Sequence, residues 1–212
     1  DMTLGVRLIN SQGTPAGFIK AGAGTLAFER VPNPSNPSEL QGAPTASYDG
    51  PTEIREGTLV LIVNNNLPTG TVLTLGDVLD HSGTLDLNGC NQQVAGLASV
   101  GAGAANTVTN SSATAARLTV NNSGDYVYGG MITGEIALTK SAAGRLTLSG
   151  LSTYTGQTNI AAGVLSISAD ANLGAVPAAP TPNQIQITNA TLAATASFTL
   201  AANRGVGLGA TT

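Results

Sequence analysis

Apolar and polar residues alternate with a period of two in short stretches along the whole chain. Thr25-Leu26-Ala27-Phe28, Thr58-Leu59-Val60-Leu61, Thr84-Leu85-Asp86-Leu87, Arg145-Leu146-Thr147-Leu148 and Val164-Leu165-Ser166-Ile167 all follow it. Ile185-Gln186-Ile187-Thr188 and Phe198-Thr199-Leu200 do the same. Such alternation turns one side of an extended strand inward and leaves the other to solvent. Threonine and the β-branched aliphatics suit a pleated surface. Between the stretches stand clusters such as Asn64-Asn65-Asn66, Pro68-Thr69-Gly70 and Asn121-Asn122-Ser123-Gly124, which are turn chemistries. No stretch has helical spacing. Val94 to Ala105 is rich in Ala and Gly, but Gly96, Gly101 and Gly103 count against a helix. The pattern predicts a chain that is nearly all β.

The strands also repeat. Lys20 to Phe28 aligns with Lys140 to Leu148 at an offset of 120 residues, and Tyr48 to Leu59 aligns with Tyr154 to Leu165 at an offset of 106. The first copy therefore carries 14 extra residues, which fall in Glu29 to Ser47 with Pro32, Pro34, Pro37 and Pro44. The matched positions are Lys20 and Lys140, Gly24 and Gly144, Leu26 and Leu146, Tyr48 and Tyr154, then Gly50 and Gly156. They continue through Thr52 and Thr158, Ile54 and Ile160, Gly57 and Gly163, and Leu59 and Leu165. The only two lysines of the protein thus hold one repeat position.

A unit of two or three short strands cannot bury its aliphatic side alone, whereas stacked units about 4.8 Å apart form a continuous apolar column. The expected architecture is a single β-solenoid domain over 1–212, with the Pro-rich insertion leaving the coil as a loop at about 29–47. Composition agrees. Charged residues are 9% and aromatics 3% of the 212 residues, Trp is absent, and Ala, Gly, Thr, Asn and Ser exceed half the chain. Parallel rungs place like on like, so charges would repel and large rings would crowd, while Thr and Asn can stack as ladders. A sandwich or jelly roll would call for two-residue Asn-Gly or Asp-Gly hairpins. Only Asn88-Gly89 and Asp49-Gly50 qualify, and the second lies inside the repeat.

Lys140 through Ile167, reading KSAAGRLTLSGLSTYTGQTNIAAGVLSI, resembles the autotransporter-associated β-strand repeat of bacterial passenger domains. That pattern runs from a Lys through a Gly-rich step to L-x-L-S-G, then Y-x-G-x-T and a closing G-x-L. Leu67 to Val72, Gly83 to Gly89 and Asn203 to Gly209 resemble the linking rungs of such proteins. Ala142 departs from the pattern, which usually has Gly there, and the 212 residues include no membrane barrel. The resemblance implies a right-handed parallel β-helix at or beyond the cell surface, serving as a stalk or adhesin, and implies no catalysis.

Candidate chemistry is sparse. One Cys (Cys90) and one His (His81) allow neither an intrachain disulfide nor a Cys/His zinc site. No G-G-x-G-x-D nonapeptide signals calcium turns, and no cofactor is expected. Asp77, Asp80, His81 and Asp86 are the best local cluster. Paired carboxylates held about 5–9.5 Å apart could cleave a polysaccharide, as β-helical lyases and hydrolases do, and His81 could enter a Ser-His-Asp triad. The plainer reading makes them turn and surface groups. Tyr126-Val127-Tyr128 reads as strand packing with Val127 inward in preference to a sugar-stacking patch. Tyr48 and Tyr154 read as rung-packing residues, Lys20 and Lys140 as solvated positions, and Cys90 as a small buried or turn residue. Asn110-Ser111-Ser112, Asn121-Asn122-Ser123 and Asn189-Ala190-Thr191 fit N-x-[S/T], a match that an Asn-, Ser- and Thr-rich repeat produces by chance.

A net charge of −4 and pI near 4.7 leave no basic face for nucleic acid or anionic lipid. The longest aliphatic run, Leu59 to Val63, is far short of the roughly 20 residues of a membrane span. Asp1 is followed by no leader-like segment, so a leader has been removed or the sequence is a piece of something longer. Both ends read as uninterrupted repeat, which fits a segment of a longer coil or identical subunits stacked end to end. The expectation is a non-catalytic extracellular structural protein of the bacterial surface, a stalk, fibre segment or adhesin. Its partners would be its own kind by rung stacking, and surface glycans or neighbouring or host cells. The alternative is a β-helix that binds or depolymerises polysaccharide.

Overall fold

The computed structural model describes residues 16–28, 46–101 and 105–209, together with the backbone of short strands at Met2–Leu4, Pro32–Asn33 and Asn36–Leu40. The chain is all-β and coils as a parallel solenoid with three faces. The chain passes from the first face to the second and the third and back, with third-face strands only from Gln92 onward and second-face strands only as far as Ile132 among the described residues.

The first face holds Phe18–Lys20, Thr52–Ile54, Val72–Leu75 and Gly96–Ser99, hydrogen-bonded in chain order. It continues with Tyr126–Tyr128, Arg145–Leu148, Gly163–Ile167 and Ala190–Ala194. The two runs meet where a Cβ on Gly96 would touch the Tyr126 ring and where Gly129 N–H donates to Ser99 Oγ at 2.9 Å. The second face stacks Met2–Leu4, Thr25–Phe28, Gly57–Val60, Gly83–Asp86, Thr107–Thr109 and Met131–Ile132. The third stacks Gln92–Val94, Ala116–Asn121, Ile136–Ser141, Thr158–Ile160, Thr181–Ile187 and Arg204–Leu208.

In-register pairing turns period-two alternation into columns. On the second face Leu26 lies beside Leu59, then Leu85, Val108 and Ile132, all buried. The outward neighbours Thr25, Thr58, Thr84 and Thr107 form a threonine column one strand apart. Inside, Leu, Ile and Val from all three faces join one core running along the coil. Each fully buried aliphatic side chain contributes about 1.5–3 kcal/mol. Length therefore adds stability turn by turn.

Three features depart from the pattern. Phe198-Thr199-Leu200 alternates but is no strand, and its two apolar residues are only partly buried. The second face loses its ladder beyond Ile132, and the chain there crosses as bends and one 3-10 turn, Asp170–Leu173. Val127 points outward and is exposed, while Tyr128 is fully buried. The sequence expectation had Val127 inward, but Tyr126 pairs with Leu146 and Tyr128 with Leu148, which puts the tyrosines on the core side. Within the insertion at 29–47, Pro32–Asn33 and Asn36–Leu40 form an antiparallel ribbon, and the rest up to residue 45 lies outside the described residues.

Candidate functional site

The repeat builds corners. Lys140 ends the inward side of Ile136–Ser141 and is fully buried. Its Nζ donates to the carbonyls of Ser141 (2.9 Å), Ala142 (2.8 Å) and, one turn on, Ala162 (3.2 Å). Lys20 repeats this with Ala21, Gly22 and Glu56. An ammonium has three donors and no acceptor, so three carbonyls satisfy it and tie two successive rungs together. Neither lysine is a solvated position. Burial pulls both ammonium groups below the ordinary lysine value, with Asp125 acting in the opposite sense on Lys140 and Glu56 on Lys20.

The other repeat positions complete the corner. Lys140 pairs with Ile160 and Leu146 with Leu165, as Lys20 pairs with Ile54 and Leu26 with Leu59. Tyr154 hydroxyl bonds Thr158 Oγ1 at 2.7 Å, and Tyr48 bonds Thr52 in the same way. Burial pushes the Tyr154 hydroxyl up to about 12, with the Thr158 bond opposing. Thr52 extends the first network to Thr71, whose hydroxyl donates to the Gly50 carbonyl at 3.0 Å. Gly156 packs a Cα against the Ile136 carbonyl, and Gly144 lies under the Gly163 step. Gly24 occupies the matching place under Gly57.

Ala142, the departure from the repeat, has φ 63°, where Gly22 of the other copy has φ 78°. Left-handed backbone costs a residue with a Cβ about 1 kcal/mol. Ala142→Gly is therefore expected to raise stability by about 0.5–1 kcal/mol, read as a higher urea midpoint, although glycine loosens the unfolded chain.

The copies sit at different corners. Lys20 lies on the first face with Leu26 on the second, whereas Lys140 lies on the third with Leu146 on the first. One local module thus turns the chain at two different edges of the coil.

Further buried polar groups do the same work elsewhere, outside the repeat positions. Asn106 accepts from Gly83 N–H and donates to the Val100 carbonyl. Asn110 accepts from Gly89 N–H and donates to Thr114 and Glu135, while Asn172 caps Ser168 and Ala169 and reaches Gly150. Arg204, almost fully buried, pairs with Asp170 at 2.9 Å and donates to the carbonyls of Leu173, Gly174 and Ala175. The Asn110 amide is occupied inside the corner, whereas Asn121 and Asn189 are exposed. Cys90 is half-buried in the Asn88-Gly89 turn.

The acidic cluster separates into two structural ties. Asp86 is buried and accepts from Asn88 N–H, Ser111 N–H and Ser111 Oγ. Asp77 holds its own turn through Leu79 N–H, His81 N–H and, at 2.8 Å, His81 Nδ1. The Asp77 hydrogen bond raises the His81 pKa and His81 in turn lowers that of Asp77. His81 has its folded value above its unfolded one, so whatever the pair adds is present below the free imidazole value and fades as pH rises through the raised one. Asp77→Asn is expected to lower the His81 titration, followed by NMR, because the largest cause of its rise is removed. No group of His, Cys, Asp and Glu among the described residues is arranged to hold a metal.

These features define a parallel β-solenoid whose polar repeat residues serve as internal corner ties. The family model for the passenger-associated-transport-repeat matches residues 40–61 and 138–167. The chain carries two autotransporter-associated repeats of that kind. The first match covers the Tyr48 to Leu59 half of its copy, and the second spans Lys140 to Ile167 entire. No curated protein and no solved structure matches the chain. A passenger-associated repeat on a solenoid fits a passenger-like structural or adhesive role and suggests a secreted or surface location. No helix among the described residues is long and apolar enough to cross a membrane.

Proposed function

We propose that the protein is a non-catalytic stalk or fibre segment of a secreted or surface-exposed passenger, working mechanically through rung stacking. The observation that carries this reading is the commitment of Lys20, Lys140 and Arg204 to backbone carbonyls, which spends nearly all the buried positive charge on holding corners. Its partners are rungs of the same kind, in a longer coil or in further copies, and its outer Thr, Asn and Gln columns meet glycans or neighbouring cells.

Electron microscopy of the native material tests the mechanical part. Unbranched rods lengthening by about 4.8 Å per turn are expected, and globular particles would refute it. Incubation with a panel of acidic polysaccharides tests the absence of catalysis, since chain shortening would put the depolymerising alternative in its place.

A further inference from the structure

One ladder of the first face is missing. Gly96–Ser99 and Tyr126–Tyr128 are successive strands of that face, yet among the described residues no backbone hydrogen bond joins them. The other successive first-face strands pair in register over three to five residues. Across the gap Gly129 N–H donates to Ser99 Oγ at 2.9 Å, a side chain where backbone would serve. The cause is local. Tyr126 stands in the inward column of Leu146 and Leu165. Its ring atoms come within 2.6–2.9 Å of the point where a Cβ on Gly96 would stand. The ring takes the space against Gly96 that a paired strand would use, and so wedges the two rungs.

The corner leading into Tyr126 carries a second, independent sign. The buried amides of Asn66, Asn106, Asn110 and Asn172 each accept a backbone N–H through Oδ1. Asn122 is fully buried too and donates to the carbonyls of Gly124 (2.7 Å) and Arg145 (3.0 Å), yet its Oδ1 accepts from no donor. Val94 pairs with Val120, so Asn122 counts to the place above Gly96, where the gap begins. A buried acceptor without a donor and strand edges without a ladder both gain hydrogen bonds when water reaches them. The opposite side is held hardest. On the third face Ala116–Asn121 pairs with Ile136–Ser141 over six residues, the longest register among the described strands. On the second face Thr107 and Val108 pair with Met131 and Ile132.

We propose that the coil is jointed at this level. The first face opens between Ser99 and Tyr126 as a hinge, while the third-face ladder stays shut and acts as its spine. Opening admits water to Leu97, Asn122 and the two facing strand edges, and unfolds neither the rungs before the gap nor those after it. A coil stiff along its length thus bends at one place and in one direction, toward the third face. The joint belongs to a single coil, so it depends neither on end-to-end stacking nor on service as a stalk.

Thiol labelling of the whole chain in a Cys90→Ser background tests this under native conditions. Leu97→Cys puts a thiol into the core at the joint, and Leu165→Cys puts one on the same face between two intact ladders. Both leucines are fully buried, so the two substitutions are matched. The Leu97→Cys thiol is expected to react at least about tenfold faster, at a rate that low urea leaves unchanged, since a local opening exposes little new surface. The Leu165→Cys thiol waits for a larger opening and should speed up as urea is added. Adding Tyr126→Leu continues the aliphatic column, removes the wedge and should slow the Leu97→Cys thiol at least about tenfold. Equal rates for the two thiols, or one shared urea dependence, would overturn the joint. That comparison stands even where Tyr126→Leu does not fold, and a folded Tyr126→Leu variant that labels no more slowly would overturn the wedge.

Discussion

Replacing Lys140 by methionine is expected to cost the coil about 3–5 kcal/mol. Methionine fills a similar volume, so little packing is lost. What goes is the donor set, and the carbonyls of Ser141, Ala142 and Ala162 then lose it in a partly buried corner. Each orphaned acceptor costs about 1–3 kcal/mol, offset by no longer burying an ammonium. Arginine is not expected to restore the cage, because its longer planar fork does not fit a corner closed around a single compact ammonium. A solenoid opens locally, so the loss should appear as faster amide exchange over the Ile136–Ser141, Thr158–Ile160 and Gly163–Ile167 strands. Arg145→Ala on the exposed side serves as the control and should stay within about 0.5 kcal/mol. A loss below that size for Lys140→Met would show that the cage holds nothing.

The second large effect is expected at Gly163. Its φ is 67°, and a Cβ there would lie 2.5 Å from the carbonyl oxygens of both Ala142 and Gly144. Gly163→Ala therefore combines about 1 kcal/mol of left-handed strain with a collision against backbone that has no room to withdraw. Because the Ala142 carbonyl also accepts from Lys140, any retreat breaks the lysine cage. The combined loss should reach about 3–5 kcal/mol by urea denaturation. Gly57→Ala should behave alike, since its Cβ would meet the carbonyls of Gly24 and Gly22. Gly70→Ala, where a Cβ meets nothing within 4 Å, is the contrast and should be nearly neutral. Equal effects at Gly163 and Gly70 would refute the corner geometry.

Much of the fold was legible because its physics is local and repeated. Alternation such as Arg145-Leu146-Thr147-Leu148 names the buried side, and a parallel register then stacks Leu146 on Leu165 with no further information. The shortage of charge and rings follows from the same stacking. Phe198 to Leu200 misled because alternation specifies a face only where a neighbouring strand exists to pair with it. Asp86 and His81 looked like neighbours in chemistry, but His81 is tied to Asp77 within its own turn and Asp86 to Asn88 and, one rung on, Ser111.

By itself the sequence determined that the chain is β, that it coils, and that two copies of one unit build it, since period two, turn residues and the repeat offsets are properties of the chain alone. Only the tertiary structure decided that the two lysines are internal, because the carbonyl that completes each cage comes from a rung 22 or 36 residues away. It alone decided, too, that the copies turn different corners of the coil. A local unit fixes the angle between two strands. Which faces those strands join depends on every residue counted out between the copies.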